Sequence, residues 1–378
     1  MNANLAKTLI NEKNMLIGSI YGWEPGRDDL FDPNSPRNRD DCLEPFRVMR
    51  EYALKKGIEL HTADIVVKTG LQPDFSLHIE SELVNIGHVS PEYLIRFETP
   101  LTVPLNAEAK YLNHFKGIFT WDLDLLEGRG SNNAYQLIAK DRLIEVRTPN
   151  PMPCAIKAGE LLPSYSERDI FCCLIASNRH ANLPDQRELY SERAKAIRWF
   201  EKNAPKKFRL YGNGWTVPEK RLGLLGNFRY RLEKVVPFLM RRPVFSSYQG
   251  PTKTKQSVLL GSKFCICFEN ARDIRGYLTE KIFDCLFAGC IPIYWGDPEV
   301  KKWVPRDCFI DFKDFNSYED LFTYLREITP DRFQEIQKSG QNFLGSQKFF
   351  PHSSQRFSEI IIDRIFADLS NEFLSKVV

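Results

Sequence analysis

Five polar residues bracket one short segment of this chain and are of types that could contact a nucleotide. Glu269 and Asn270 follow a run of β-type residues, and Thr279, Glu280 and Lys281 begin a helical pattern. A helix N-terminus carries free N–H groups and a positive dipole end, which suits a phosphate. Lys281 in the first turn opposes that dipole, and a bound polyanion would remove the conflict. Glu280 could accept hydrogen bonds from a ribose diol, but a capped helix with solvated side chains fits the spacing equally well.

Two other segments carry residues that suit a diphosphate. Arg187 and Arg193 lie close to a predicted helix start, and a guanidinium can bind phosphate in bidentate fashion. Either one could be the ligand, and both could be ordinary surface arginines. Tyr211 ends a predicted strand and Gly212 follows it, which allows either close approach of the backbone to a ligand or a plain tight turn. Neither GxxxxGK[ST] nor GxGxxG occurs, so a P-loop and a dinucleotide fingerprint are excluded.

The elements that would position these residues alternate between strands and helices. Around the polar cluster, the pattern predicts a strand over 263–268, a helix over 277–290 and a strand over 291–296. Elsewhere it predicts strands at 15–20, 65–67, 75–79, 93–97, 117–121, 171–176 and 208–211, and helices at 42–56, 185–201 and 353–373. This alternation predicts an α/β chain with two parallel-sheet, Rossmann-like domains that face one another. In such sheets ligands bind at the carboxyl ends of the strands.

A proline-rich stretch divides the chain. Thr148 to Pro153 has three prolines in six residues and is the best linker candidate. We therefore expect an N-terminal domain over 1–152, a C-terminal domain over 153–350 and a C-terminal docking helix over 351–378.

Composition excludes several classes of protein. With 43% hydrophobic and 27% charged residues, the 378-residue chain has a globular balance rather than a disordered one. A formal net charge of +3 supplies no global field for nucleic acid. Nine cysteines, several within apolar runs and none in a CxxC pair, predict reduced thiols and no zinc site. The six histidines are scattered, which disfavours a catalytic metal.

Membrane signals are local. No run of eighteen apolar residues occurs, and the first twenty residues lack an uninterrupted apolar region, so we expect neither a span nor a signal peptide. The segment 219–242 carries seven basic and two acidic residues interleaved with Leu and Phe. It predicts peripheral contact with an anionic membrane, while a solvated basic face is an equally good interpretation. We expect a cytoplasmic protein, at the inner face of the cell membrane where that contact is made.

The segment from Cys267 to Gly296 resembles the signature of the family 10 glycosyltransferases, the α-1,3/4-fucosyltransferases. It carries CFEN at 267–270, YLTEK at 277–281 and AGCIPIYWG at 288–296, and weaker similarity extends the resemblance over roughly 90–315. The resemblance implies a GT-B fold, two facing Rossmann-like domains with a cleft between them. It also implies GDP-fucose as donor and inversion at the anomeric carbon. With protein cations stabilising the leaving diphosphate, we expect no required metal. The acceptor side would be the N-terminal domain, and the GDP-sugar side the C-terminal one.

The resemblance also implies roles for individual residues. Lys281 and Arg187, with Arg193 as rival, would hold the diphosphate, and Glu280 would meet the ribose. The full donor-binding set would be Arg187, Arg193, Tyr211, Gly212, Asn270, Tyr277, Thr279, Glu280 and Lys281. Glu98, in the segment Phe97-Glu98-Thr99-Pro100, matches the proposed general base. The acceptor would be a GlcNAc- or Glc-containing oligosaccharide or lipid-linked glycan of the surface polysaccharide or lipopolysaccharide type.

Alternatives remain at this stage. The same phosphate contacts would serve a related glycosyltransferase with another sugar nucleotide, or a nucleotide-binding protein without catalysis. Asp122-Leu-Asp124 is a formal DxD, which in GT-A enzymes holds a metal such as Mn²⁺ against the diphosphate. Here it lies apart from the donor segment, and we expect a turn or a helix-capping pair of aspartates instead.

Overall fold

The structure is a computed structural model that divides into two compact units. One comprises Met1–Pro151 and Phe350–Val378, the other Met152–Phe349. The residues it describes are those of the whole chain except 1–14, 23–26, 81–90, 130–132, 154–155, 157–158, 160, 182–183, 220–229, 232–234, 236–242 and 378. Each unit is described separately below.

The first unit is built on a parallel sheet. Its described strands are ordered β2-β1-β3-β4-β5-β6, and every pairing between them is parallel. The strands are β1 Leu16–Tyr21, β2 Ile58–Thr62, β3 Phe75–Ile79, β4 Glu92–Ile95, β5 Gly117–Thr120 and β6 Leu143–Glu145. The helices are α1 Glu44–Lys55, α2 Ala63–Thr69, α3 Ala109–Leu112, α4 Leu123–Glu127 and, at the C-terminus, α10 Ser354–Val377.

Helix α10 completes the core of this unit. Phe357, Ile361 and Ile365 recur at helical spacing and are buried in the cluster that also contains Phe46 and Met49 of α1. Burial of such a side chain contributes about 1.5–3 kcal/mol each. The last segment of the chain is therefore part of the first unit's hydrophobic core.

The second unit carries the other parallel sheet, with described strands in the order β11-β10-β9-β7-β8. Its strands are β7 Ile170–Ile175, β8 Phe208–Tyr211, β9 Ser262–Phe268, β10 Ile291–Trp295 and β11 Ile310–Asp311. Its helices are α5 Tyr190–Asn203, α6 Lys255–Leu260, α7 Glu280–Phe287, α8 Tyr318–Glu327 and α9 Pro330–Leu344.

Both sheets have the same order when their strands are counted from each unit's start, with the third strand beside the first. The order therefore reverses between β1 and β3 in the first unit and between β7 and β9 in the second. In open parallel sheets the crevice at such a reversal, at the carboxyl ends of the strands, is where ligands bind. The polar segment that begins with Glu269 and Asn270 follows the end of β9.

One predicted strand is wrong, and one predicted helix begins later than predicted. The strand predicted over 65–67 belongs to helix α2, and the strand of that region is β2, Ile58–Thr62. A short apolar run does not distinguish the two states, and here Val67 is exposed while Val66 packs inward. The helix predicted from residue 185 begins at Tyr190. The residues before it form a turn at 186–187, and Glu188 forms a β-bridge with Ala271.

Membrane spans were predicted to be absent. Among the described helices, none combines the length and the apolar character needed to cross a bilayer.

Candidate functional site

The end of β9 in the second unit brings the two halves of the polar segment together. Glu269 and Asn270 follow β9 directly, and the Glu269 N–H donates to the carbonyl of Trp295 at 2.8 Å, which extends the pairing with β10. The buried strand places the Glu269 side chain inside the unit, where it is fully shielded from solvent. A buried carboxylate requires hydrogen-bond partners.

The hydrogen-bond partners of Glu269 lie at the start of α7. The Thr279 N–H donates to one carboxylate oxygen at 2.9 Å, and the Thr279 hydroxyl donates to the other at 2.7 Å. The Lys281 ammonium lies 3.2 Å from that second oxygen. Burial raises the pKa of Glu269, and the Lys281 charge works against that rise. A carboxylate from the strand thus binds both the N-cap residue and the first-turn lysine of the helix.

Lys281 is turned back toward the strand end. Its ammonium donates to the Thr279 hydroxyl oxygen at 3.0 Å and lies 3.8 Å from the Glu280 carboxylate. The side chain is 22% exposed. A Lys281 that is merely solvated, one of the two interpretations left open by the sequence, is therefore excluded.

Glu280 is held by a cation that the sequence did not single out. Lys255, the first residue of α6, lies 3.5 Å from the Glu280 carboxylate and donates to Asp284 at 2.7 Å. Burial disfavours the ionised form of Glu280, but Lys281 and Lys255 outweigh it and lower the pKa of this carboxyl. Glu280 is still half-exposed, so its ionised oxygens can accept hydrogen bonds from a ligand.

Arg193 is buried, and its guanidinium is bonded to protein groups. It is 5% exposed, its guanidinium donates to the carbonyl of Phe268 at 2.8 and 3.2 Å, and it donates to the Asn270 amide oxygen at 2.9 Å. The Asn270 amide nitrogen donates to the hydroxyl of Tyr277, 3.2 Å away. Tyr277 is itself buried. These bonds make Arg193 a support for the end of β9 and for the orientation of Asn270.

Arg187 lies in the turn before α5 and is half-exposed. Its guanidinium forms two bonds to the Asp185 carboxylate, at 3.0 and 2.9 Å. Its carbonyl accepts from the N–H of Arg272 at 2.7 Å, and Leu189 N–H donates to Asn270 O at 3.0 Å. The segment that carries Arg187 is therefore bonded to the loop between β9 and α7.

Gly212 makes a tight turn against the neighbouring strand. Its φ is +124°, and a Cβ at this position would lie 2.0 Å from the carbonyl oxygen of Ala176. The Ala176 N–H in turn donates to Tyr211 O at 3.1 Å. Burial raises the pKa of Tyr211. Of the two interpretations of this glycine, the tight turn is supported directly by the backbone.

In the first unit, Glu98 follows β4 and is half-buried. Its N–H donates to Glu80 at 2.8 Å, and that of Phe97 donates to the same carboxylate oxygen. The Asn106 amide binds the other Glu80 oxygen at 3.2 Å and the Glu98 carbonyl at 3.0 Å. Burial, with the charge of Glu98 adding to it, raises the pKa of Glu80. Glu80 was missed, although a carboxylate directly after a buried strand is a recognisable signal.

The first aspartate of the DxD pair caps a helix, one of the two expected roles. The Asp122 carboxylate accepts from the N–H groups of Asp124 and Leu125 in the first turn of α4. It also accepts from the hydroxyl of Tyr135 at 2.8 Å and is buried. Within the described ranges, no group of three or more His, Cys, Asp or Glu side chains is arranged to hold a metal. Most of the basic segment 219–242 lies outside the described residues.

Comparison with known proteins identifies the segment that contains this geometry. Residues 230–336 match the model of glycosyltransferase family 10 (fucosyltransferase), C-terminal part. The α-(1,3)-fucosyltransferase FucT of Helicobacter pylori is 40% identical over 76 residues, which cover 20% of this chain and 16% of that protein. An α-(1,4)-fucosyltransferase of Arabidopsis thaliana is 36% identical over 69 residues, covering 18% of this chain and 17% of that protein. Each match spans less than a fifth of the relative's own length. The resemblance seen in the sequence is confirmed over this segment.

Solved structures are similar over nearly the whole chain. A crystal structure of an α1,3-fucosyltransferase with GDP covers 94% of this chain and 90% of its own, with TM-score 0.51 and 16% identity. An α-glucosyltransferase in complex with UDP and DNA covers 95% of this chain and 100% of its own, with TM-score 0.55 and 10% identity. At these identities the likeness concerns the fold. It confirms the predicted α/β fold class of GT-B type.

Proposed function

We propose that this chain, which carries a family 10 glycosyltransferase segment, is an inverting fucosyltransferase that moves L-fucose from GDP-fucose to a hydroxyl of an acceptor glycan. One observation carries the proposal. Within residues 230–336, the half-exposed Glu280 and the oriented Lys281 stand together at the N-terminus of α7, at the sheet's reversal point. This is where a parallel sheet binds a nucleotide.

The donor would bind through charge and hydrogen bonds that the second unit supplies. The Lys281 ammonium and the helix N-terminus attract the diphosphate, whose negative charge grows as the sugar leaves. Glu280, whose pKa is lowered by its lysine neighbours, accepts from the two ribose hydroxyls. Protein cations then perform the task that a divalent metal performs in DxD enzymes, so the proposal requires no metal cofactor.

Arg187 is the better candidate for the second diphosphate ligand. Its guanidinium is half-exposed and can exchange Asp185 for a phosphate, whereas Arg193 is buried and its bonds hold the end of β9. Asn270, Tyr277, Thr279, Tyr211 and Gly212 would shape the pocket rather than carry its charge.

Glu98 would act as general base in the first unit. The acceptor oxygen forms a bond to the anomeric carbon, the carbon–oxygen bond to GDP breaks, and GDP leaves with the electron pair. Glu98 takes the hydroxyl proton, as a carboxylate within hydrogen-bond reach can. Glu80 and Asn106 support this assignment, because they bind the backbone on which Glu98 is carried.

The acceptor would be a GlcNAc- or Glc-containing glycan of a surface polysaccharide or lipopolysaccharide. A lipid-linked acceptor would bring the protein to the inner face of the cell membrane, and the basic residues within 219–242 would contact its anionic lipids. Binding to anionic liposomes tests this contact. The wild type is compared with a variant in which Arg229, Arg231, Arg241 and Arg242 are reversed in charge, and unchanged binding by the variant would refute the contact.

The central test is GDP release on a glycan array with GDP-fucose, GDP-mannose and UDP-sugars as donors. We expect release with GDP-fucose, loss of transfer with retained GDP binding in Glu98→Gln, and loss of GDP binding in Lys281→Ala. The matched controls are Glu51→Gln, exposed on α1, and Lys302→Ala, exposed in the second unit. Full transfer by Glu98→Gln would refute the base, and release from a different donor would reassign the sugar.

A further inference from the structure

The Glu269 carboxylate is the buried centre of the proposed donor site, and the donor scheme above leaves it unused. Both of its oxygens are bonded to the N-terminal turn of α7, one to the Thr279 N–H and the other to the Thr279 hydroxyl. The Lys281 ammonium lies 3.2 Å from the second oxygen. No solvent reaches the carboxylate. Any effect it has on a ligand must therefore pass through Thr279 and Lys281.

The three groups form a closed triangle of two hydrogen bonds and one ion pair. The Thr279 hydroxyl donates its proton to Glu269 at 2.7 Å, and its oxygen accepts from Lys281 at 3.0 Å. A lysine side chain in water samples many rotamers, and a lysine already held in one conformation needs no reorientation when charge develops on the leaving group. The triangle selects a conformation in which the ammonium is close to the helix N-terminus.

The other end of Glu269 is fixed as well. Gly296, which follows β10, leaves room for the Glu269 stem, since a Cβ there would lie 2.4 Å from the Glu269 Cγ. The Glu269 N–H donates to the carbonyl of Trp295 at 2.8 Å. The sheet thus fixes the position of the Glu269 carboxylate, and the Lys281 side chain takes the conformation that pairs with it.

We propose that Glu269 is a positioning residue, a buried counter-ion that fixes the Lys281 ammonium where the donor diphosphate meets the start of α7. This inference rests on the proposed function, because it takes a diphosphate as the ligand of Lys281. It adds that turnover depends on the direction of the ammonium as well as on its charge. Glu269 also repels the phosphate it helps to place, so it lowers the affinity for GDP while it raises the rate.

This double effect separates positioning from a structural role. In Glu269→Gln the amide can still accept from Thr279, but the negative charge beside Lys281 is gone. We expect kcat to fall by at least about tenfold, the factor that loss of one charge-assisted hydrogen bond gives. We expect the Kd for GDP to stay equal or to become smaller. A residue needed only for folding would lower stability, kcat and GDP affinity together.

The measurements are kcat and KM from GDP release, the Kd for GDP by calorimetry, and the melting temperature. Asp297→Asn is the matched control, a buried carboxylate in the same unit that also accepts a backbone N–H, from Glu299 at 2.8 Å. Thr279→Val, which removes the bridging hydroxyl and keeps the backbone N–H, provides a second probe. Its kcat should fall in the same direction, and Thr279→Ser should restore it.

The proposal stands only when turnover falls while GDP affinity does not. Unchanged kcat in Glu269→Gln, or weaker GDP binding in parallel with lost stability as in Asp297→Asn, overturns it. Where Glu269→Gln does not fold, the Thr279→Val and Thr279→Ser pair decides by the same criterion. A wild type that fails to bind GDP, or a Lys281→Ala variant that binds it as well as the wild type, would instead refute the proposed function.

Discussion

Gly296→Ala adds a single methyl group at a crowded position in the proposed donor site. The new Cβ would lie 2.4 Å from Cγ and 2.9 Å from Cβ of Glu269, and 2.6 Å from the hydroxyl oxygen of Tyr294. Neither neighbour can yield easily. The Glu269 atoms are close to its backbone, and Tyr294 is buried, its hydroxyl accepting from the Asp297 N–H at 3.0 Å. The backbone at the ends of β9 and β10 must therefore separate.

Overpacking of this kind costs about 1–3 kcal/mol of unfolding free energy. For a unit of this size that corresponds to a melting temperature lower by roughly 2 to 12 °C. The displaced group is Glu269, which binds Lys281. We therefore expect turnover with GDP-fucose to fall along with stability.

Scanning calorimetry and the GDP-release assay measure the two effects. Gly261→Ala is the matched control in the same unit, because a Cβ there would have its nearest contact at 3.7 Å, an ordinary packing distance. It should change the unfolding free energy by less than about 1 kcal/mol. A Gly296→Ala variant that melts with the wild type and keeps its rate would refute the crowding argument and, with it, the described position of Glu269.

Further predictions concern single positions. Gly212→Ala should lower the urea midpoint more than Gly250→Ala, since both have positive φ but only the first of these two would bring a Cβ within 2.0 Å of a carbonyl oxygen; equal effects would contradict this. Burial, with Arg147 adding to it, lowers the pKa of His352 to about 3. From its ordinary pKa down to that value the unfolded chain takes up a proton that the folded one does not, so stability should fall by up to about 1.4 kcal/mol per pH unit. Urea titrations between pH 7 and 4 should show that the unfolding free energy of His352→Asn changes less steeply with pH than that of the wild type. Arg193→Lys should lower the melting temperature, and Arg187→Lys should instead weaken GDP binding at unchanged melting temperature; the reverse outcome would exchange their roles.

The element pattern of the donor segment was predictable because it is local. The strand predicted over 263–268 is β9, Ser262–Phe268, and the strand predicted over 291–296 is β10, Ile291–Trp295. Helical spacing of apolar residues likewise marked α7, although its described range, Glu280–Phe287, is shorter than the pattern. These segments are neighbours in sequence, and their periodicity is decided by which face each residue must bury.

Elements whose conformation depends on distant partners were predicted less well. The region before Tyr190 has helical composition, yet it forms a turn at 186–187 and a β-bridge between Glu188 and Ala271, more than eighty residues away. The apolar run 65–67 is part of a helix in which only Val66 is buried. Tertiary pairing and burial overrode local preference in both cases.

The sequence by itself determined the parallel-sheet architecture, the family resemblance and the residue types at the end of β9, since all three follow from local periodicity and from contiguous motifs. Only the tertiary structure decided which charges meet. Glu269 binds Lys281 across a loop, Lys255 reaches Glu280 from another helix, and Glu80 carries the backbone of Glu98 from a neighbouring strand. Those pairings depend on which strands lie side by side and on the space that Gly296 leaves, and residue spacing along the chain contains neither.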